Sequence, residues 1–157
     1  MNSVWKHRFV VSALVAVTPV AALGCGGGSS STDSQTSLTK TQLLKVGNEA
    51  CAKRLEEKDA AVKKALEELP EDERLEPSGQ ALEELGESVL PPYQNLIDDF
   101  SSLPAAKEAE ATIEKIVAEL EAGVKQTETE PESLAKTDPF AKASESAKSY
   151  GFDACTF

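Results

Sequence analysis

A single histidine, His7, stands in the 157 residues, with one tryptophan, one methionine and two tyrosines. It lies near the start of the chain, in a segment read below as cleaved. Without it no Ser-His or Cys-His nucleophile pair can form, and neither can a histidine metal site or the Glu-x-x-His arrangement of di-iron bundles. The sequence also lacks a phosphate-cradling glycine loop after a strand, a calcium loop of the Asp-x-Asp-x-Asp-Gly kind and the alternation of a half-buried strand. Asp98-Asp99 and Glu67-Glu68 are adjacent carboxylates, but sequence neighbours on a helix do not share a face, so they read as solvated surface. Serines and lysines are plentiful, yet no motif points to a Ser-Lys dyad. The expectation is a protein that is not an enzyme, with no catalytic residue, cofactor or metal. Positive charge is also scarce: 16 Lys and Arg face 27 Asp and Glu, for a net −11. Such a chain repels phosphate backbones and anionic lipid surfaces, which excludes a nucleic-acid partner.

Long apolar runs are missing too. The longest, Phe9 to Leu23, is about 15 residues, interrupted by Ser12, Thr18 and Pro19, whereas a spanning helix needs roughly 20. Lys6 and Arg8 precede it, which is the pattern of a secretory signal. The run ends at Ala22-Leu23-Gly24-Cys25, which resembles the lipobox of bacterial lipoproteins; family members most often carry Leu where this chain has Ala22. The resemblance implies cleavage before Cys25 and a diacylglyceryl group on its thiol. An uncleaved anchor is one rival reading. An ordinary secretory cut after Ala22, leaving Cys25 as a free thiol, is another. Cysteine counting favours lipidation, because an odd cysteine in an exported protein needs a role, and acylated Cys25 leaves Cys51 and Cys155 as a pair. Gly26 to Thr36 holds no apolar residue and reads as a flexible tether. The expected organisation is a signal peptide over 1–24, a tether over 25–36 and a helical domain over 37–157. The protein would sit on the extracytoplasmic face of the cell membrane, with the lipid bilayer as partner through Cys25. Loss of Lys6 and Arg8 takes the charge from −11 to −13.

Four helical stretches follow. The first starts near Ser37 or Thr39, ends before Pro70, and presents Leu44, Cys51, Leu55, Val62, Leu66 and Leu69 on one face, with Gly47 and Lys58 in the gaps. Glu49–Lys53 and Asp59–Lys63 have the supportive four-residue spacing. The second, about Ser78 to Leu103, carries Leu82, Leu85, Val89, Tyr93, Leu96, Phe100 and Leu103. Pro91 and Pro92 interrupt it while the stripe keeps its phase. That predicts a kinked helix or two end-to-end segments. The third opens at Pro104, runs to about Val124 and buries Ala109, Ile113, Ile116 or Val117, Leu120 and Val124. Lys125 to Thr137 reads as a loop. Asp138-Pro139 starts the fourth, which buries Phe140, Ala143, Ala147 and Tyr150 and stops at Gly151.

The predicted fold is all-α, an up-down-up-down four-helix bundle with a kinked second helix. That topology puts the start of the first helix beside the end of the fourth. A Cys51–Cys155 disulfide would then close an antiparallel pair, with Phe152 and Phe157 packing near Leu44 and Leu55; two unbridged thiols are the alternative. Asn48-Glu49-Ala50-Cys51-Ala52, Leu103-Pro104 and Tyr150-Gly151-Phe152-Asp153-Ala154-Cys155 are similar to segments of small uncharacterised exported proteins of actinobacteria. The resemblance implies a helical lipoprotein with a terminal disulfide and brings no activity. Tyr93, just after the two prolines, has two readings. It is either a core residue of the stripe or the wall of a small pocket opened by a kink. The functional expectation is a lipid-anchored module that binds an unknown envelope protein; the alternative is a carrier of a small apolar ligand at the Pro91-Pro92 kink.

Overall fold

The computed structural model describes residues 37–77 and 79–157. Across them the chain is all-helical, with four substantial helices and one short one: α1 Lys40–Glu68, α2 Gln80–Ser101, α3 Lys107–Thr129, α4 Ser133–Lys136 and α5 Ala141–Tyr150. The signal peptide, the tether, His7 and Cys25 lie outside the described residues. No described helix is long and apolar enough to cross a membrane.

Local chemistry accounts for the boundaries. Thr39 caps α1 through a capping box: its hydroxyl accepts from the Gln42 amide, and the Gln42 side chain accepts from the Thr39 amide. Leu69 and Pro70 end it. Gly151 closes α5 in the left-handed region, at φ 116°. The Gly151 amide donates to Lys148 O and the Phe152 amide to Ala147 O, so two orphan carbonyls are satisfied in a Schellman arrangement.

α2 runs unbroken through Pro91 and Pro92, so the alternative of two end-to-end segments does not hold. The prolines remove the amides that would bond Glu87 and Ser88 carbonyls four residues back. Burial of Val89, Tyr93, Leu96 and Phe100 along one face offsets that loss.

Three details of the sequence reading are corrected. On α1 the buried residues are Leu43, Gly47 and Cys51, while Leu44 is only half-buried. Apolar type alone placed the stripe one residue off, because Gly47 carries no hydropathy signal. It is buried for its smallness: a Cβ there would overlap the Phe152 ring. Second, α3 continues to Thr129 and α4 follows, where a loop was expected. Thr127 is buried and its hydroxyl donates to Gly123 O, so a polar residue serves the core face. Third, the ion pairs of α1 at four-residue spacing are Lys45–Glu49, Lys63–Glu67 and Lys64–Glu68, not the two expected ones.

α1 packs on α2, α2 on α3, and α3 on α5. The Leu38 amide donates to Pro104 O, which ties the entry of α1 to the α2–α3 turn. The antiparallel α1–α5 closing pair is not among the principal packings. The tail after Gly151 makes the connection to α1 instead. Cys51 and Cys155 are bonded, fully buried, with Cα atoms 5.1 Å apart. Beside the bridge the Ala154 amide donates to Asn48 Oδ1 at 2.8 Å. Phe152 is fully buried, edge-on to Phe100 at 5.2 Å between centroids. Phe157 departs from its expected place near Leu44: it lies edge-on to Tyr93 at 6.2 Å, its amide donating to Ser144 Oγ.

Candidate functional site

Between α1, α2 and the turn after α4 lies a cleft of about 530 Å³ in which Tyr93 is a wall residue. α1 contributes Lys58 and Val62, α2 contributes Leu85, Val89 and Tyr93, and α4 with the turn after it supplies Leu134 through Phe140; Phe157 closes one side.

Each wall has a local cause. On α1, Lys58 occupies the core-facing register set by Cys51 and Val62. A lysine there keeps its stem against apolar surface and its ammonium outward. Its side chain is 22% exposed, paired with Asp59 at 3.4 Å. On α2, the stripe that carries Val89 and Phe100 brings Tyr93 inward, 5% exposed. Asp138 Oδ1 accepts from the Phe140 amide at 2.9 Å, which fixes the turn and turns the Phe140 ring inward. That ring stacks on Tyr93 with centroids 3.7 Å apart and planes 15° from parallel. It fits against α3 only because residue 123 is glycine; a Cβ there would lie 2.9 Å from Pro139 O and overlap the ring. Tyr93 is therefore both a core residue and a wall of the cleft.

Burial, then the facing carboxylates of Asp138 and Asp59, push the Tyr93 phenol well above its ordinary value. It stays a neutral donor throughout the physiological range. Among the described residues its hydroxyl has no hydrogen-bond partner. Lys136 pairs with Glu132, whose carboxyl is lowered by that hydrogen bond.

The other side chains singled out from sequence are elsewhere. Cys51 and Cys155 are joined with the tail and serve the fold, while Cys25 lies outside the described residues. Arg54, which sequence reading passed over, clasps α1 to α2. Its Nε donates to Asp99 Oδ2 at 2.7 Å and its Nη1 to Glu57 Oε2 at 2.8 Å. These bonds raise an already high basicity, so the guanidinium keeps its charge. No group of three or more His, Cys, Asp or Glu among the described residues could hold a metal ion. Sequence reading also missed Lys58, Asp138, Phe140 and Phe157 as cleft residues. The one available signal was Lys58 interrupting an apolar face. Comparison of the chain with known protein families, with curated proteins and with solved structures finds no match to any of them.

Proposed function

We propose that the protein is a bacterial lipoprotein, anchored by acylated Cys25 on the extracytoplasmic face of the cell membrane, that carries a small apolar ligand in the Tyr93 cleft. In this reading α1, α2, α3 and α5 form an up-down-up-down four-helix bundle, and the short motifs that resemble small exported proteins of actinobacteria add a helical lipoprotein with a terminal disulfide. It works by binding rather than by catalysis. The observation that carries the ligand half is the cleft itself: about 530 Å³, with Val62, Leu85, Val89, Tyr93 and Phe140 among its walls. The lipobox, the tether and the cysteine count carry the anchor half.

Two experiments separate the halves. Full-length protein with Cys25→Ala should lose palmitate labelling and leave the membrane fraction; retention there would refute the anchor. An apolar fluorophore such as N-phenyl-1-naphthylamine should brighten on the protein, and Val89→Trp, which enlarges a cleft wall, should abolish the signal with the fold intact by circular dichroism. An unchanged signal would refute the cleft as a carrier site and favour an envelope protein as the partner.

A further inference from the structure

Past Cys51 the character of α1 changes. None of its residues beyond that point is fully buried. Leu55, Val62 and Leu66 hold helical spacing there, yet each is only half-buried. The packing explains it. α2 is the principal helical neighbour of α1, and the tail reaches α1 at Asn48 and Cys51, before these turns.

The connection to α2 borders the distal turns with a groove. Arg74 folds back on the end of α1: its Nε donates to Leu69 O at 2.9 Å and its Nη2 to Glu67 O at 3.0 Å. Arg74 then walls a groove of about 410 Å³ with Asp59, Val62, Lys63, Leu66 and Glu67, and the surface inside it is mostly apolar. The next residue, Leu75, is 91% exposed, the most exposed large apolar side chain among the described residues. A lone exposed leucine is ordinary; one that follows a clasped turn on the wall of an apolar groove extends an interaction surface. Val62 and Leu66 are one helical turn apart, the spacing that the apolar stripe of a second helix matches.

Charge decides which helix fits. Between Glu71 and Glu87 stand seven carboxylates and a single cation, Arg74, so this stretch carries −6 of the −12 of residues 37–157. None of the seven has an ion-pair partner among the described residues. The nearby Lys63 and Lys64 are matched by Glu67 and Glu68. A second copy of the chain would bring the same acidic edge against this one, and facing like charges oppose docking. A cationic partner is instead steered in and held.

We propose that the groove between the distal half of α1 and the 70–77 connection docks a cationic amphipathic helix of another protein, with its apolar residues on Val62, Leu66 and Leu75 and its lysines or arginines toward the carboxylates of 71–87. The proposal is independent of the carrier reading and stands or falls without it.

Fluorescence anisotropy of labelled peptides with the full-length protein, at about 0.15 M salt, tests it. Three peptides of about 18 residues, five helical turns, share one layout. One has a leucine stripe with lysines, one the same stripe with glutamates, and one the same lysines with serine for leucine. The leucine–lysine peptide should bind, and the other two should bind at least about tenfold more weakly. Leu75→Asp, at a site too exposed to disturb the core, and Leu66→Asp should each weaken binding about five- to tenfold. Each adds a carboxylate, so attraction by charge alone would tighten binding instead. Glu71→Lys with Asp72→Lys and Glu76→Lys should abolish it. No binding of the leucine–lysine peptide, equal binding of either control peptide, or an affinity unchanged or raised by Leu75→Asp would overturn the proposal. A dimer in sedimentation that Leu75→Asp dissociates would overturn it too, by giving the face to a second copy.

Discussion

Breaking the Cys51–Cys155 bond tests the architecture most directly. The bond spans 104 residues of sequence. In the chain-entropy account, closing a loop of that size removes about 4 to 5 kcal/mol of disorder from the unfolded ensemble. Domains of this class are stable by on the order of 5 to 15 kcal/mol, so the bond supplies a large share. Cys51→Ala, Cys155→Ala and the double variant should each lose about 3 to 5 kcal/mol in urea unfolding. They should agree with one another within about 1 kcal/mol, because the second change removes a thiol already without its partner. The slope of stability against urea should rise in all three, since an uncrosslinked unfolded chain exposes more surface. Both sulfurs are fully buried, so reductant should act on the native protein only as fast as the tail opens. A loss under about 1 kcal/mol with an unchanged slope would refute the idea that the bond constrains the unfolded chain.

Two further predictions follow from the packing and the charges facing Tyr93. Alanine at three helical glycines should have opposite signs. At Gly86 a new Cβ meets Thr127, Pro131 and Leu134 at 3.6 to 3.9 Å, ordinary contact, so Gly86→Ala should stabilise by up to about 1 kcal/mol. Gly47→Ala and Gly123→Ala drive a methyl into the buried rings of Phe152 and Phe140 and should each destabilise by about 1 to 3 kcal/mol; thermal melts giving all three the same sign would contradict the packing. The Tyr93 phenol is raised in the fold. The unfolded chain therefore gives up that proton first, at about pH 10, and stability falls as pH rises beyond that point. Tyr93→Phe should flatten this alkaline decline and remove the latest-titrating tyrosinate absorbance; an unaltered alkaline profile would count against the burial and facing carboxylates described.

How much of this was readable in the sequence differs by element. α2 could be read almost completely, because every buried large residue on it is apolar and spaced at helical intervals, and the stripe held its phase through Pro91 and Pro92. Thr39 and Gly151 announced their roles, since capping and left-handed termination depend on one residue and its neighbours. The pairing of Cys51 with Cys155 was readable from cysteine parity, but not the route to it: the tail after Gly151, and not an α1–α5 closing pair, carries Cys155 to α1. What could not be read was burial achieved without hydrophobicity. Gly47 and Gly123 are core because a ring from a distant segment lies on them, and Thr127 is core because its hydroxyl finds a carbonyl in its own helix. The cleft was hidden for the same reason. Tyr93 was visible as a candidate, but Asp138, Phe140 and Phe157 join it only through the turn after α4 and the tail.

The disulfide also sets how residues 37–157 would respond to a pulling force. Tension applied at residue 37 and at a point beyond Cys155 would follow the covalent path through Cys51 to Cys155 and bypass the chain between them, residues 52–154. Only the first turns of α1 and the last few residues could then be drawn out. At about 3.5 Å per residue, that is on the order of 60 Å of slack, against roughly 400 Å for the same segment with the bond reduced. The helices that build the Tyr93 cleft, apart from the start of α1, lie inside the bypassed loop. Oxidised, the molecule would behave under load as a short leash with an unstressed helical body; reduced, that body would itself become part of the leash.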